Sequence, residues 1–272
     1  MMPKAGFLIL IGLFLSALTS SADAELPKEK TYVLFSQAND AFREANSMRE
    51  DSQKAQKLYE KAILSYEKII DEGKIESAGL YYNLANAYFL KGDLGRAILN
   101  YRRAENLDSA DANIQKNLSF ARSRRIDKVK VGTEKRVLQT LLFWHYDFSL
   151  KTKFILTCLF FAAGCISLTI AIWFGRMAPA TITTTIAGLL MLCFLGSVVV
   201  EVNTQANRIC GVITAEEVIA RQGDGQNYAP SFKDPLHTGT EFDLLESRTS
   251  WLHIKLADDT DTWIPDHSAD LI

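Results

Sequence analysis

Cysteine is scarce and poorly placed for covalent or metal chemistry. The 272 residues hold four cysteines: Cys158, Cys165 and Cys193 lie inside long apolar runs, and Cys210 just beyond them. Neither polar region can therefore close an internal disulfide or build a thiolate zinc site. Proline is absent from Thr31 to Ile126, which leaves that stretch without a helix breaker. An excess of one charge is missing as well. The net charge is −2 and the pI about 6.1, so there is no dense basic field of the kind nucleic acid requires, and no nucleic-acid partner is expected. His237, His253 and His267 have neither metal-ligand spacing nor a nucleophile partner, and His145, alone beside Trp144 and Tyr146, reads as an amphipathic filler. No catalytic residue, metal ligand or cofactor is expected, and the chain reads as a non-enzyme.

Two long stretches lack charge altogether. Phe154 to Trp173 runs for 20 residues, about 30 Å as a helix, and Ala180 to Val200 carries only hydroxyls as polar groups. Two transmembrane helices are expected, at 152–174 and 179–201. Their connection, Phe174-Gly175-Arg176-Met177-Ala178-Pro179, allows only a tight turn, so the helices are antiparallel and the polar regions lie on one side. At the amino terminus, Lys4, the uncharged run Ala5–Leu18 and Ala22-Asp23-Ala24 read as an export signal over 1–24. An uncleaved anchor is the alternative. Lys128, Lys130, Lys135, Arg136, Lys151 and Lys153 before the first span argue, by the positive-inside rule, for the opposite sidedness. The export signal acts first and is given precedence, which leaves those bases to meet membrane lipid. The segment 131–151 is basic and then aromatic, and Trp144 and Tyr146 suit an interfacial position.

From Thr31 to Ile126 the apolar spacing is helical, with turn signals at Asp71-Glu72-Gly73 and Lys91-Gly92-Asp93. Ala62-Ile63-Leu64-Ser65-Tyr66 returns as Ala97-Ile98-Leu99-Asn100-Tyr101, an offset of 35 residues against a period of ~34 for tetratricopeptide units. The stretch Tyr81-Tyr82-Asn83-Leu84-Ala85-Asn86-Ala87-Tyr88, then Gly92-Asp93, Ala97, Tyr101 and Ala104, resembles one such repeat. Residues 25–130 are thus expected to form a tetratricopeptide repeat domain of about two units and a capping helix. In that family the first helix of each pair lines a groove, which implies partner-binding positions at Tyr82, Asn86, Phe89 and Asn117. Tyr82 stands where peptide-clamping repeats often carry lysine.

Beyond Gly211 the pattern changes to short alternating runs, among them Glu241–Leu245, Trp251–Leu256 and Thr262–Ile264, separated by polar turns. A small β barrel is expected. Ala220–Tyr228, His237–Thr240, Ser250-Trp251, Asp258-Asp259 and Trp263-Ile264-Pro265 resemble the bacterial SH3-like family over 208–272. Tyr228, Trp251 and Trp263 are the ligand-groove candidates. Core packing is the competing account of the two tryptophans.

The order of signal, repeats, hairpin and SH3-like domain resembles the BatE-type proteins of the bacterial aerotolerance cluster, down to Lys116-Asn117-Leu118-Ser119-Phe120-Ala121-Arg122. The resemblance implies a multidomain fold: an all-α repeat, a two-helix transmembrane hairpin and a small all-β module. It implies a bacterial inner-membrane scaffold, with both soluble domains periplasmic, working with von Willebrand A domain membrane proteins and a MoxR-type ATPase. The rival reading is a peptidoglycan-binding tether that recruits a cell-wall synthase or hydrolase.

Overall fold

The computed structural model describes residues 26–48, 53–129, 140–175 and 177–272. The expected signal at 1–24 lies outside these residues, as do Lys130, Lys135, Arg136 and Arg176. Among the described residues there are eight α-helices and a small antiparallel sheet. The chain divides into two compact units, Met1–Asp93 and Leu94–Ile272.

The first unit contains α1 (Lys28–Asn46), α2 (Gln53–Asp71) and α3 (Ala78–Lys91). Small residues on α1, Ala38, Ala41 and Ala45, are buried where α2 presents Tyr59, Ala62 and Tyr66, so the backbones approach and the rings fill the gaps. Phe35 and Phe42 meet Tyr66 and Tyr59 edge to face, with ring centroids 6.2 and 5.9 Å apart. Both phenols stay satisfied: the Tyr59 hydroxyl donates to Asn46 Oδ1 at 2.8 Å and the Tyr66 hydroxyl to Asn39 Oδ1 at 2.7 Å. Burial pushes the Tyr66 hydroxyl up to about 12. α3 starts where Ser77 accepts from the Leu80 amide and stops at Gly92, whose φ of 93° suits glycine. Both expected turns therefore fall where the helices end.

In the second unit, α4 (Leu94–Leu107) and α5 (Ala112–Ser123) pair, with Asp111 capping α5 through the Asn113 and Ile114 amides. Ala97, Ile98 and Tyr101 are buried on α4, as Ala62, Ile63 and Tyr66 are on α2. The repeated pentapeptide thus buries the same three positions in each unit. Leu99 is buried whereas its counterpart Leu64 is exposed.

The short helix α6 (Phe143–Tyr146) precedes α7 (Leu150–Phe174) and α8 (Met177–Asn207), which pack along each other. Both are long and apolar enough to cross a membrane. Their outward faces, among them Leu159, Phe161, Ile166, Leu189 and Val199, are exposed, an arrangement that lipid satisfies and water does not. Between the helices Phe194 stacks on Phe148 and Phe160, and a Cβ on Gly164 would stand 3.8 Å from Ala187.

The sheet runs β6-β5-β4-β1-β7, from β1 (Cys210–Ile213), β4 (Glu241–Arg248), β5 (Trp251–Lys255), β6 (Asp261–Pro265) and β7 (Ala269–Leu271). β2 (Glu217–Val218) and β3 (Leu236–His237) form a separate pair. The expected barrel is not closed. β2 and β3 have two residues each, and the intervening segment joins β6 by one isolated backbone bridge, Arg221 to Trp263, with the Thr262 hydroxyl bonded to the Arg221 carbonyl oxygen and to Ser231 Oγ, rather than by a continuous ladder. One face holds the apolar core, with Ile213, Phe242, Leu252, Ile254 and Ile264 at its centre.

Candidate interaction surfaces

Tyr82, Asn86 and Phe89 occupy positions i, i+4 and i+7 of α3 and are half-buried on one face of that helix. Asn117 is half-buried on α5, in the other compact unit.

The sheet's second face carries the aromatic candidates. Strand alternation and the ladder register place Glu246, His253 and Trp263 in one row across β4, β5 and β6, and Arg248, Trp251 and Pro265 in the next. Trp251 and Trp263 are therefore opposite the apolar core. Trp263 is nonetheless only 8% exposed. The His253 ring stacks on it at 4.5 Å with the planes 2° apart, and the Arg248 guanidinium lies 4.6 Å from the ring centroid. Arg248 is held there by Asp224 at 2.6 Å and Glu246 at 2.7 Å, and its hydrogen bonds keep both carboxyls below their usual range. Tyr228 is 50% exposed and packs on Gly223. Tyr228 and Trp251 thus offer open aromatic surface, while the chain's own Arg248 and His253 cover Trp263.

A third arrangement has no counterpart in the sequence reading: the sheet docks on α4 and α5. Glu241, at the start of β4, accepts from Arg122 Nη2 and Nε at 2.6 and 2.8 Å and from Arg125 Nη1 at 3.1 Å, and Arg102 Nε lies at 3.3 Å. Burial alone would push the Glu241 carboxyl up. The Arg122 hydrogen bonds, with the charges of Arg122, Arg102 and Arg125, outweigh it and hold the group below the usual carboxylate range. Just after α5, the Asp127 carboxylate accepts from the His237 amide at 2.6 Å and the Thr240 hydroxyl at 2.7 Å, and meets His237 Nδ1 at 2.8 Å. Burial works against that charge too, and the three hydrogen bonds prevail, so its value is lowered. The approach is close enough to require glycine on α4. A Cβ at Gly95 would come within 2.4 Å of Thr238 Oγ1 and 2.8 Å of the Ile213 carbonyl oxygen.

One sequence signal foreshadows this docking. Residues 94–136 hold 11 Lys and Arg against 5 Asp and Glu, whereas residues 208–272 hold 5 against 12. The two segments carry opposite charge, and the overall value of −2 averages the difference away.

The fourth cluster lies where α7 begins and α8 nears its end. Lys153 is 1% exposed and donates to the Glu201 carboxylate and the His145 carbonyl oxygen. His145 Nδ1 contacts Ser197 Oγ at 2.7 Å. Burial, then the Lys153 charge, lowers the His145 value and favours its neutral form. The apolar runs between 154 and 200 contain no charge, but each span is continued by one charged residue, and the antiparallel turn brings these two together.

Comparison of the chain with protein-family models and with curated proteins finds no match.

Proposed function

We propose that this chain is a non-enzymatic, membrane-anchored scaffold of the BatE type, working on the periplasmic side of a bacterial inner membrane. In this reading α1 to α4 are two tetratricopeptide units, α5 is their capping helix and the terminal sheet is an SH3-like module. The observation that carries the reading is the way the second unit spends its charges. Glu241 and Asp127 carry displaced carboxyl values, and their partners are residues that hold the sheet to α4 and α5. Charged groups that clamp elements together build a rigid presenting surface, whereas a reacting site aims such groups at a substrate. Equal burial of Ala62, Ile63, Tyr66 and of Ala97, Ile98, Tyr101 supports the repeat reading. The partners that the resemblance implies are von Willebrand A domain membrane proteins and a MoxR-type ATPase.

Wholesale deletion of the helical region would also remove the seat of the sheet, so point variants test the proposal more cleanly. Full-length protein is recovered from crosslinked native membranes beside Tyr82→Ala/Asn86→Ala and Tyr228→Ala/Trp251→Ala, and retained proteins are identified by mass spectrometry. Loss of von Willebrand A domain proteins by about tenfold in the Tyr82/Asn86 variant, a difference of ~1.4 kcal/mol, is the expected result. The exposed Tyr228 and the half-exposed Trp251 favour testing a wall ligand as well. If purified sacculi retain the full-length protein and release the Tyr228/Trp251 variant, while no von Willebrand A domain protein is recovered, the peptidoglycan tether replaces the scaffold.

A further inference from the structure

A cavity of about 1030 Å³ opens beside the start of α7 and the end of α8, well above the ~300 Å³ at which small-molecule pockets begin. Its walls come from the α4–α5 connection, the approach to α7, the last turns of α8 and the start of β1. Because α7 and α8 are antiparallel and span-length, this is the depth at which a bilayer places its polar headgroups.

The lining is polar and carries both signs. Among the described residues Lys151 has no ion-pair partner, and neither does Asp147, four positions earlier; both are exposed and both line the cavity. Asp108 adds a second carboxylate outside any ion pair among the described residues, and its Oδ1 accepts from the Ala110 amide, whereas Glu105 and Glu201 of the same wall are paired with Arg102 and Lys153. The other cations of the wall are committed elsewhere: Arg102 to Glu105 and Glu241, and Arg208 to Asp243. Lys151 is therefore the cation available to a ligand, and the first turn of α7, capped at Thr152 by Ser149, adds its dipole beside it. Three and four positions after Lys151, and so on its face of α7, Phe154 and Ile155 are exposed apolar surface. The cavity thus offers a cation and carboxylates, and the α7 face that carries Lys151 continues beyond it as apolar surface.

The geometry points to a binding site for the zwitterionic phosphoethanolamine headgroup of a membrane phospholipid. Lys151 takes the phosphodiester, Asp147 and Asp108 take the primary ammonium, and the acyl chains run along Phe154 and Ile155. A purely anionic headgroup would leave its non-phosphate end against two carboxylates, and a quaternary ammonium would bring no N–H donors to them. The proposal rests on the two-span reading and is independent of the scaffold partners.

The test is native mass spectrometry of delipidated full-length protein in detergent, titrated with phosphatidylethanolamine, phosphatidylglycerol, phosphatidylcholine or soluble glycerophosphoethanolamine. One phosphatidylethanolamine is expected to be retained in preference to the other two lipids. Lys151→Glu should weaken it by about tenfold, the cost of one charge-assisted contact. Asp147→Lys should reverse the order in favour of phosphatidylglycerol. Equal retention of all three lipids, or retention unchanged in both variants, overturns the site. Displacement by soluble glycerophosphoethanolamine at the same concentration as the lipid overturns the membrane source. Carbonate-resistant membrane association of both variants separates loss of the headgroup site from failure of the two-span reading.

Discussion

Glu241→Ala should release the sheet from α4 and α5, at a cost of about 3–5 kcal/mol in the free energy of local opening. The side chain is 21% exposed, and it is the common acceptor for Arg122 and Arg125, with Arg102 beside them. Removing it does more than delete one ion pair, because it leaves three guanidiniums facing each other without their shared counter-charge. Glu241→Gln keeps the shape and one acceptor and should cost less. Hydrogen exchange of the full-length protein reads this directly: protection should fall in α5 and β4 and stay unchanged in α1 and α2. Unaltered protection in α5 would show that the three arginines do not hold the sheet.

The same contact carries a pH dependence whose sign follows from the two depressed carboxyls. Glu241 and Asp127 both titrate lower in the folded chain than when unfolded. Their contribution is therefore complete above the unfolded carboxylate value of about 4 and is lost as pH falls through the folded values. Protection of α5 and β4 should be flat from neutral pH down to about pH 5 and should decline at more acidic pH. Glu241→Gln should remove the Glu241 share of that decline and leave the Asp127 share.

The second large effect belongs to the membrane hairpin. Glu201→Ala leaves the Lys153 ammonium, 1% exposed, with the His145 carbonyl as its one remaining partner among the described residues, and loss of one member of a buried pair costs about 3–5 kcal/mol. Lys153→Met/Glu201→Leu removes both charges and should lie much closer to the parent, because neither variant group then needs a counter-charge. Thermal unfolding of the full-length protein in detergent compares the three. If the single and double variants lose the same stability, the two residues are not coupled and the pair does not set the register of α7 against α8.

Position along the chain decided which features could be read early. The apolar spans, the ends of α2 and α3 and the strand runs each lie within one window, where a period of 3.6 or 2, a run length or a glycine reports them. The barrel was over-read from the same kind of signal. Alternation announces strands but not their length, and β2 and β3 turn out too short to close the sheet. Trp263 illustrates a different gap. Its type is visible in the sequence, but its cover is built from Arg248 and His253 on neighbouring strands, and only the register brings them onto one face.

The sequence alone determined the helical region, the two spans and the alternating tail, because those depend on the spacing of apolar residues along a few turns or strands. The tertiary structure alone decided that Glu241 gathers arginines 119 and 116 residues away, that Asp127 reaches His237 across 110, and that Lys153 meets Glu201 across 48. Each of these contacts is a charge taken out of water, and a charge reveals its partner only when folding has removed the solvent that otherwise screens it.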